Sequence, residues 1–230
     1  MLLETRVFDD GLGGTVSGVV ATPAGSGSRN VPLVVLAHGA GGDMHSPLLT
    51  AVHQALADRG CLSVKFNFPY KERGRSAPDP APRLERCFRT VLEAVRAENE
   101  PRIGRVFIGG KSLGGRMATH LAAQGTEVDG VILLGYPLHP PGKPERARVA
   151  HLPAIKAPML FFAGTRDPLC NLDLLRRTLD TLTAPITLHV VPDGDHSFDV
   201  LKRTGRGRDE VWAEIVDVTG RWIAERSSQR

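Results

Sequence analysis

Six short stretches of this chain, 33–37, 62–68, 106–108, 131–134, 159–163 and 187–191, are apolar with little of the alternation that one wet face imposes. Strands buried on both sides read this way, and such strands belong to a mainly parallel sheet sandwiched between helices. The segments between them carry helical period. Ser46-Pro47 offers a capping hydroxyl followed by a proline whose missing N–H is harmless at a helix start. Leu48, Leu49, Val52, Ala55 and Leu56 then share one face, which leaves His53 on an exposed one. Leu84, Cys87, Phe88, Val91, Leu92 and Val95 recur at threes and fours; Asn171 is placed to cap a helix bearing Leu172, Leu175, Leu179 and Leu182; Val211, Ile215, Val218 and Trp222 mark a last helix. Two further strands, 3–8 and 15–21, precede the series across a turn of glycines and aspartates. Eight strands alternating with helices give an α/β fold with helices on both faces and a ligand site beyond the carboxyl ends of the strands. No repeat or linker divides the chain, so residues 1–230 read as one domain.

Composition narrows the function class. Hydrophobic residues make up 41% and charged ones 23%, which excludes a disordered chain. The net charge of +4 is spread along the sequence and forms no stripe, so nucleic acid is not an expected partner. Cys61, Cys87 and Cys170 form no Cys-x-x-Cys pair, which argues against a disulfide framework and a cysteine zinc site and for a reducing, cytoplasmic setting. No apolar run reaches membrane-span length, and no metal-ligand spacing or cofactor motif is present.

The sharpest local signal is Gly110-Lys111-Ser112-Leu113-Gly114, a Gly-x-Ser-x-Gly between the apolar run 106–108 and the helical segment from Met117. In a strand–turn–helix setting this pattern lifts a serine hydroxyl onto the sheet edge at a helix N-terminus, where partial positive charge favours an oxyanion. A phosphate-binding Walker loop also ends in Gly-Lys-Ser, but its first glycine would fall on Arg105, and the residues before Gly110 read as a strand. Two later strand ends supply partners. The run 159–163 leads to Gly164-Thr165-Arg166-Asp167, and 187–191 leads to Asp193-Gly194-Asp195-His196. A histidine that accepts the serine proton and a carboxylate that fixes its tautomer would activate Ser112. Asp193 and Asp195 share the histidine's own loop and read as shaping it. His120 and His189 fall inside a helix and a strand, and His45, His139 and His151 lie in loops without a strand-end acid. Donors for the oxyanion come from the Leu113 N–H and from His38-Gly39-Ala40-Gly41-Gly42-Asp43, with Ala40 first and Gly41 second.

The phrases His-Gly-Ala-Gly-Gly-Asp (38–43), Phe-Asn-Phe-Pro-Tyr (66–70), Gly-Lys-Ser-Leu-Gly-Gly-Arg (110–116) and Gly-Asp-His-Ser-Phe (194–198) together resemble the α/β-hydrolase superfamily, and within it the small dienelactone-hydrolase-like proteins. More narrowly they resemble the group containing the hydrolase-like subunit of the nonspecific-lethal chromatin complex. The resemblance implies an eight-stranded α/β-hydrolase sheet and Ser112, Asp167 and His196 as a catalytic triad, with no cofactor. Dienelactone hydrolase has cysteine where this chain has Ser112, which moves the expectation from its lactone to a small carboxylic ester or thioester cleaved through an acyl-enzyme. A non-catalytic interaction module on the same fold is the alternative, since that narrower group includes proteins with no established catalysis. The segment 135–158 contains five prolines besides Pro158 and room for one short helix around 145–149, so no multi-helix lid is expected. The basic stretch 202–208 reads as a solvated loop or as an attractor of acidic ligands. Tyr70 and Tyr136 follow strand ends and border either the pocket or a turn.

Overall fold

The computed structural model describes residues 1–25 and 29–228. One eight-stranded sheet runs through the molecule: β1 (Leu2–Asp9), β2 (Thr15–Thr22), β3 (Val31–Ala37), β4 (Leu62–Phe66), β5 (Ile103–Lys111), β6 (Gly130–Leu134), β7 (Met159–Gly164) and β8 (Ile186–Val191). The spatial order is β1-β2-β4-β3-β5-β6-β7-β8. β1 and β2 pair antiparallel, as do β2 and β4; all other neighbours are parallel. The helices are α1 (Pro47–Asp58), α2 (Pro69–Glu72), α3 (Ala81–Asn99), α4 (Leu113–Ala123), α5 (Leu172–Leu179) and α6 (Arg208–Ser228).

The unbroken apolar runs have a direct cause. Leu33, Val35 and Ala37 point into a core shared with α3, α4 and α5, while Val34 and Leu36 point into a second core beneath α1 and α6. Phe107 sits in the second core between Val106 and Ile108, which face the first. Each strand therefore needs apolar residues at every step.

Several local expectations change, and α5 ends at Leu179, short of Leu182. The strand 62–68 stops at Phe66, because the Asn67 side chain turns to accept the Met44 N–H at 2.9 Å and the Phe68 N–H donates to Nε2 of His38 at 3.0 Å. His53 is fully buried, not exposed: α1 also packs on β4, and His53 Nδ1 meets Ser63 Oγ at 2.9 Å. Ser46 precedes α1 as expected, but its hydroxyl makes no capping bond; Asn171 does cap α5, accepting from the Leu174 N–H at 2.9 Å. Between β6 and β7 the short helix is replaced by two 3-10 turns, Pro144–Arg146 and Leu152–Ala154. Neither covers the strand ends as a lid, and the sheet edge stays open there.

Candidate active site

β5 runs into α4 through Ser112, whose backbone sits at φ 51° and ψ −112°. A non-glycine residue held there carries on the order of 1–3 kcal/mol of strain. Its neighbours explain how the turn survives. The Ser112 N–H donates to the Leu134 carbonyl at 3.0 Å, and its own carbonyl accepts from Arg116 N–H at 3.0 Å. Any side chain at Gly110 or Gly114 would collide with the Ala37 carbonyl, and one at Gly109 with the Ile132 carbonyl. The glycines thus bring β3, β6 and α4 closer than a Cβ allows, and the hydroxyl is lifted clear of the sheet.

β7 delivers Asp167 three residues beyond Gly164, with a fully buried side chain. One carboxylate oxygen accepts the Leu169 N–H at 2.8 Å, and the other lies 2.7 Å from His196 Nδ1. A carboxylate on Nδ1 places the ring proton there and leaves Nε2 as an acceptor. That Nε2 stands 2.9 Å from Ser112 Oγ. The histidine loop is shaped from within: Asp195 Oδ1 accepts from the N–H groups of Ser197 (2.8 Å) and Asp199 (3.0 Å), with Asp193 and Phe198 both at positive φ. Ser112, Asp167 and His196, separated by up to 84 positions, form one hydrogen-bonded line at the sheet edge.

The loop after β3 closes the third side. His38 is buried, accepts from Phe68 N–H, and so presents Nδ1–H to the Gly39 carbonyl at 2.8 Å. Burial lowers its pKa to about 4, which keeps the ring neutral. Tyr70 is buried behind the same loop and donates to the Ala40 carbonyl at 3.2 Å, its phenol pushed up to about 12 by burial. The loop's carbonyls are held from behind. The N–H groups of Ala40 and Leu113 have no hydrogen-bond partner among the described residues.

A recess of about 520 Å³ opens over Ser112 and His196, bounded by the 39–42 loop, Leu48, Leu169 and Trp212. Trp212, Leu169 and Lys111 are among the lining residues that sequence reasoning missed, while Arg208 closes the basic stretch 202–208. Trp212 lies off the helical periodicity of its segment, and Lys111 is hidden inside a motif read for its serine and glycines. Tyr136 does not reach the recess; it donates to the Arg148 carbonyl at 2.7 Å. The arginines of the basic stretch are paired in place: Arg203 with Asp193, Arg206 with Glu210 and Glu214, and Arg208 with Asp199. The three cysteines are buried and unpaired, and burial pushes Cys61 and Cys170 to about 12, so neither offers a thiolate. Among the described residues, no group of three or more His, Cys, Asp or Glu side chains is arranged to hold a metal ion, and no helix is long and apolar enough to cross a membrane.

Comparison with known proteins gives a family and a fold. Residues 30–224 match the family model described as an alpha/beta hydrolase domain. Among solved structures, a dienelactone hydrolase from Anabaena variabilis superposes with a TM-score of 0.77 at 19% identity, over 97% of each chain. An alpha-beta serine hydrolase homologue from Coxiella burnetii gives 0.73 at 18% identity over 95% of this chain and 96% of its own. A serine hydrolase without lid from Xanthomonas campestris gives 0.71 at 22% identity over 96% and 94%.

Proposed function

This chain belongs to the alpha/beta hydrolase domain family, and from that premise we propose that it is a serine hydrolase cleaving small carboxylic esters or thioesters through an acyl-enzyme. The observation that carries the reading is the unbroken line from Asp167 through His196 to Ser112 Oγ. In the proposed reaction, Ser112 Oγ bonds to the substrate carbonyl carbon as its proton passes to His196 Nε2. The carbonyl oxygen becomes an oxyanion and takes hydrogen bonds from the Ala40 and Leu113 N–H groups, with Gly41 N–H the alternative to Ala40. The intermediate collapses, the bond to the alcohol or thiol breaks, and His196 returns the proton to that leaving group. Water, deprotonated by His196, then bonds to the acyl carbon; the bond to Ser112 Oγ breaks, His196 returns the proton to Oγ, and the acid leaves. Asp167 holds the imidazole's tautomer and stabilises its protonated form throughout.

The recess favours a short acyl group, because Leu48, Leu169 and Trp212 bound it and no lid adds further apolar surface. Within the family we place the chain beside the dienelactone-hydrolase-like proteins and the group containing the nonspecific-lethal complex subunit, on the phrases at 38–43, 66–70, 110–116 and 194–198. We place it in the cytoplasm, as three unpaired cysteines suit a reducing compartment. The test is labelling by a fluorophosphonate together with turnover of p-nitrophenyl acetate. Ser112→Ala should lose the label and cut turnover about 10⁴-fold or more while remaining folded. Parent-like turnover in that variant would remove Ser112 as nucleophile. A parent protein that neither labels nor turns over would instead be an interaction module.

A further inference from the structure

We propose that Lys111 is a positioning residue for His196: its ammonium fastens the histidine loop to the strand that carries Ser112 and so keeps the imidazole on the serine hydroxyl. The inference rests on the hydrolase reading above. Lys111 is the last residue of β5 and is paired in the sheet with Leu134, so its Cα is fixed one residue before Ser112. Its Nζ donates to the His196 main-chain carbonyl at 2.5 Å and lies 5.8 Å from the centre of the Phe198 ring. The end of β6 is kept bare to let this happen. Gly135 sits at φ +69°, and a Cβ there would lie 3.1 Å from Lys111 Nζ, 3.2 Å from the His196 carbonyl oxygen and 3.6 Å from His196 Cε1. Lysine ammonium and imidazole therefore crowd the same small space.

The other holds on His196 do a different job. Asp167 fixes the ring tautomer from β7, and Asp195 shapes the loop from inside it. Neither ties the loop to β5. A buried ammonium is unfavourable, and burial does lower the Lys111 pKa to about 8 against the opposing pull of Asp167 and Asp195. An apolar chain of equal length would fill the space without that penalty, so what lysine adds is the bond to the histidine. It also adds positive charge beside the ring. The groups facing it are Asp167 beyond β7, Asp195 and Phe198 in the histidine loop, and the uncharged Gly135 beyond β6.

The test compares Lys111→Met, which keeps length and loses the donor, with Lys111→Arg, which keeps donor and charge, alongside parent and Ser112→Ala. Misplacement of a catalytic group by about an ångström lowers rate about 100-fold. Lys111→Met is expected to lose about 10- to 100-fold in kcat on p-nitrophenyl acetate with KM little changed, and Lys111→Arg to recover part of it. NMR titration of the His196 Cε1 proton in the free protein supplies a readout independent of turnover. Its midpoint should move to higher pH in Lys111→Met, since removing a neighbouring cation favours the imidazolium. Parent kcat and an unmoved midpoint in Lys111→Met, with Ser112→Ala inactive, would overturn the proposal and leave the hydrolase reading standing. A kcat loss matched by lost stability, with the midpoint unmoved, would also overturn it. An inactive, unlabelled parent would sink the hydrolase reading, and the NMR midpoint would still decide whether Lys111 acts on His196. Should Lys111→Met not fold, Gly135→Ala crowds Nζ and the imidazole from the opposite side and is read by the same titration.

Discussion

The turn that carries Ser112 and the loop that carries His196 both hold non-glycine residues at positive φ, yet they are held by opposite means. Around Ser112 the restraint is the absence of side chains: Gly109, Gly110 and Gly114 let three backbone segments touch. Around His196 it is the presence of polar ones, with Asp195 accepting two loop N–H groups, Lys111 gripping a carbonyl and Asp193 pairing with Arg203. A backbone contact offers nothing to titrate and no room to yield. A side-chain strut has some room to relax, and it can be weakened by degrees. The Ser112 turn should therefore fail all at once, and the His196 loop gradually.

The largest effect should come from putting a methyl group into the first region. Gly114→Ala drives a Cβ into the Ala37 and His38 carbonyls, which are backbone atoms at and just past the end of β3. Overpacking of that kind costs about 3 kcal/mol or more, a large share of a domain's total stability. Urea denaturation and circular dichroism should find the variant unfolded or close to it. A folded Gly114→Ala with the parent midpoint would mean that the turn is looser than its contacts imply.

The loop after β3 lies between the two extremes, since it has glycines but is braced by the His38 imidazole. Burial lowers His38 to about 4 and His53, beneath α1, to about 3. Both rings stay neutral in the fold, while in the unfolded chain they take up protons near pH 6.5. Acid therefore favours unfolding: the stability is present above about pH 6.5 and is withdrawn as pH falls toward the folded values. By pH 5 each ring should have withdrawn about 2 kcal/mol. Urea midpoints between pH 7 and 5 should fall accordingly, and more gently in His53→Leu. A flat profile over that range would show that these rings are not shielded.

How much of this the sequence discloses follows the same division. Glycines required by close backbone approach form a pattern within five residues, so the Ser112 turn is legible in the amino-acid order alone. The strands are legible because burial on both faces leaves no polar position. Asp167 and His196 can be placed at strand ends because each follows an apolar run directly. Lys111 reaches a residue 85 positions away, and nothing in the local sequence marks that contact. His53 reads as exposed because the apolar positions of α1 define only the side facing its own core. Its true neighbour, Ser63 on β4, is fixed by the sheet order. Contacts made by strut-like side chains across the fold are what a reading by periodicity leaves out.

Within the histidine loop, the Asp195 strut should matter more than the exposed ones. Asp195→Ala leaves two loop N–H groups without their acceptor, a loss of about 1–3 kcal/mol, together with a fall in kcat as His196 drifts from Ser112. Asp195→Asn retains one carbonyl oxygen and should lose less of both.

The smallest effect belongs to the Arg203–Asp193 pair in the same loop. Its partners are 3.0 Å apart, but the arginine side chain is 73% exposed. Water screens such a pair, and ordering the long side chain offsets much of the attraction, so it is worth less than about 1 kcal/mol. Asp193 also has other holds: its N–H donates to Thr165 Oγ1 at 2.9 Å, and its carbonyl accepts from Arg166 at 3.2 Å. Arg203→Ala should accordingly leave kcat at the parent value and barely move the urea midpoint. Adding about 1 M salt, which shortens the screening length to about 3 Å, should then change parent and variant alike. If Arg203→Ala instead lost more activity than Asp195→Ala, the loop would be held by its surface ion pairs, and partial burial of the strut would not be what sets its strength.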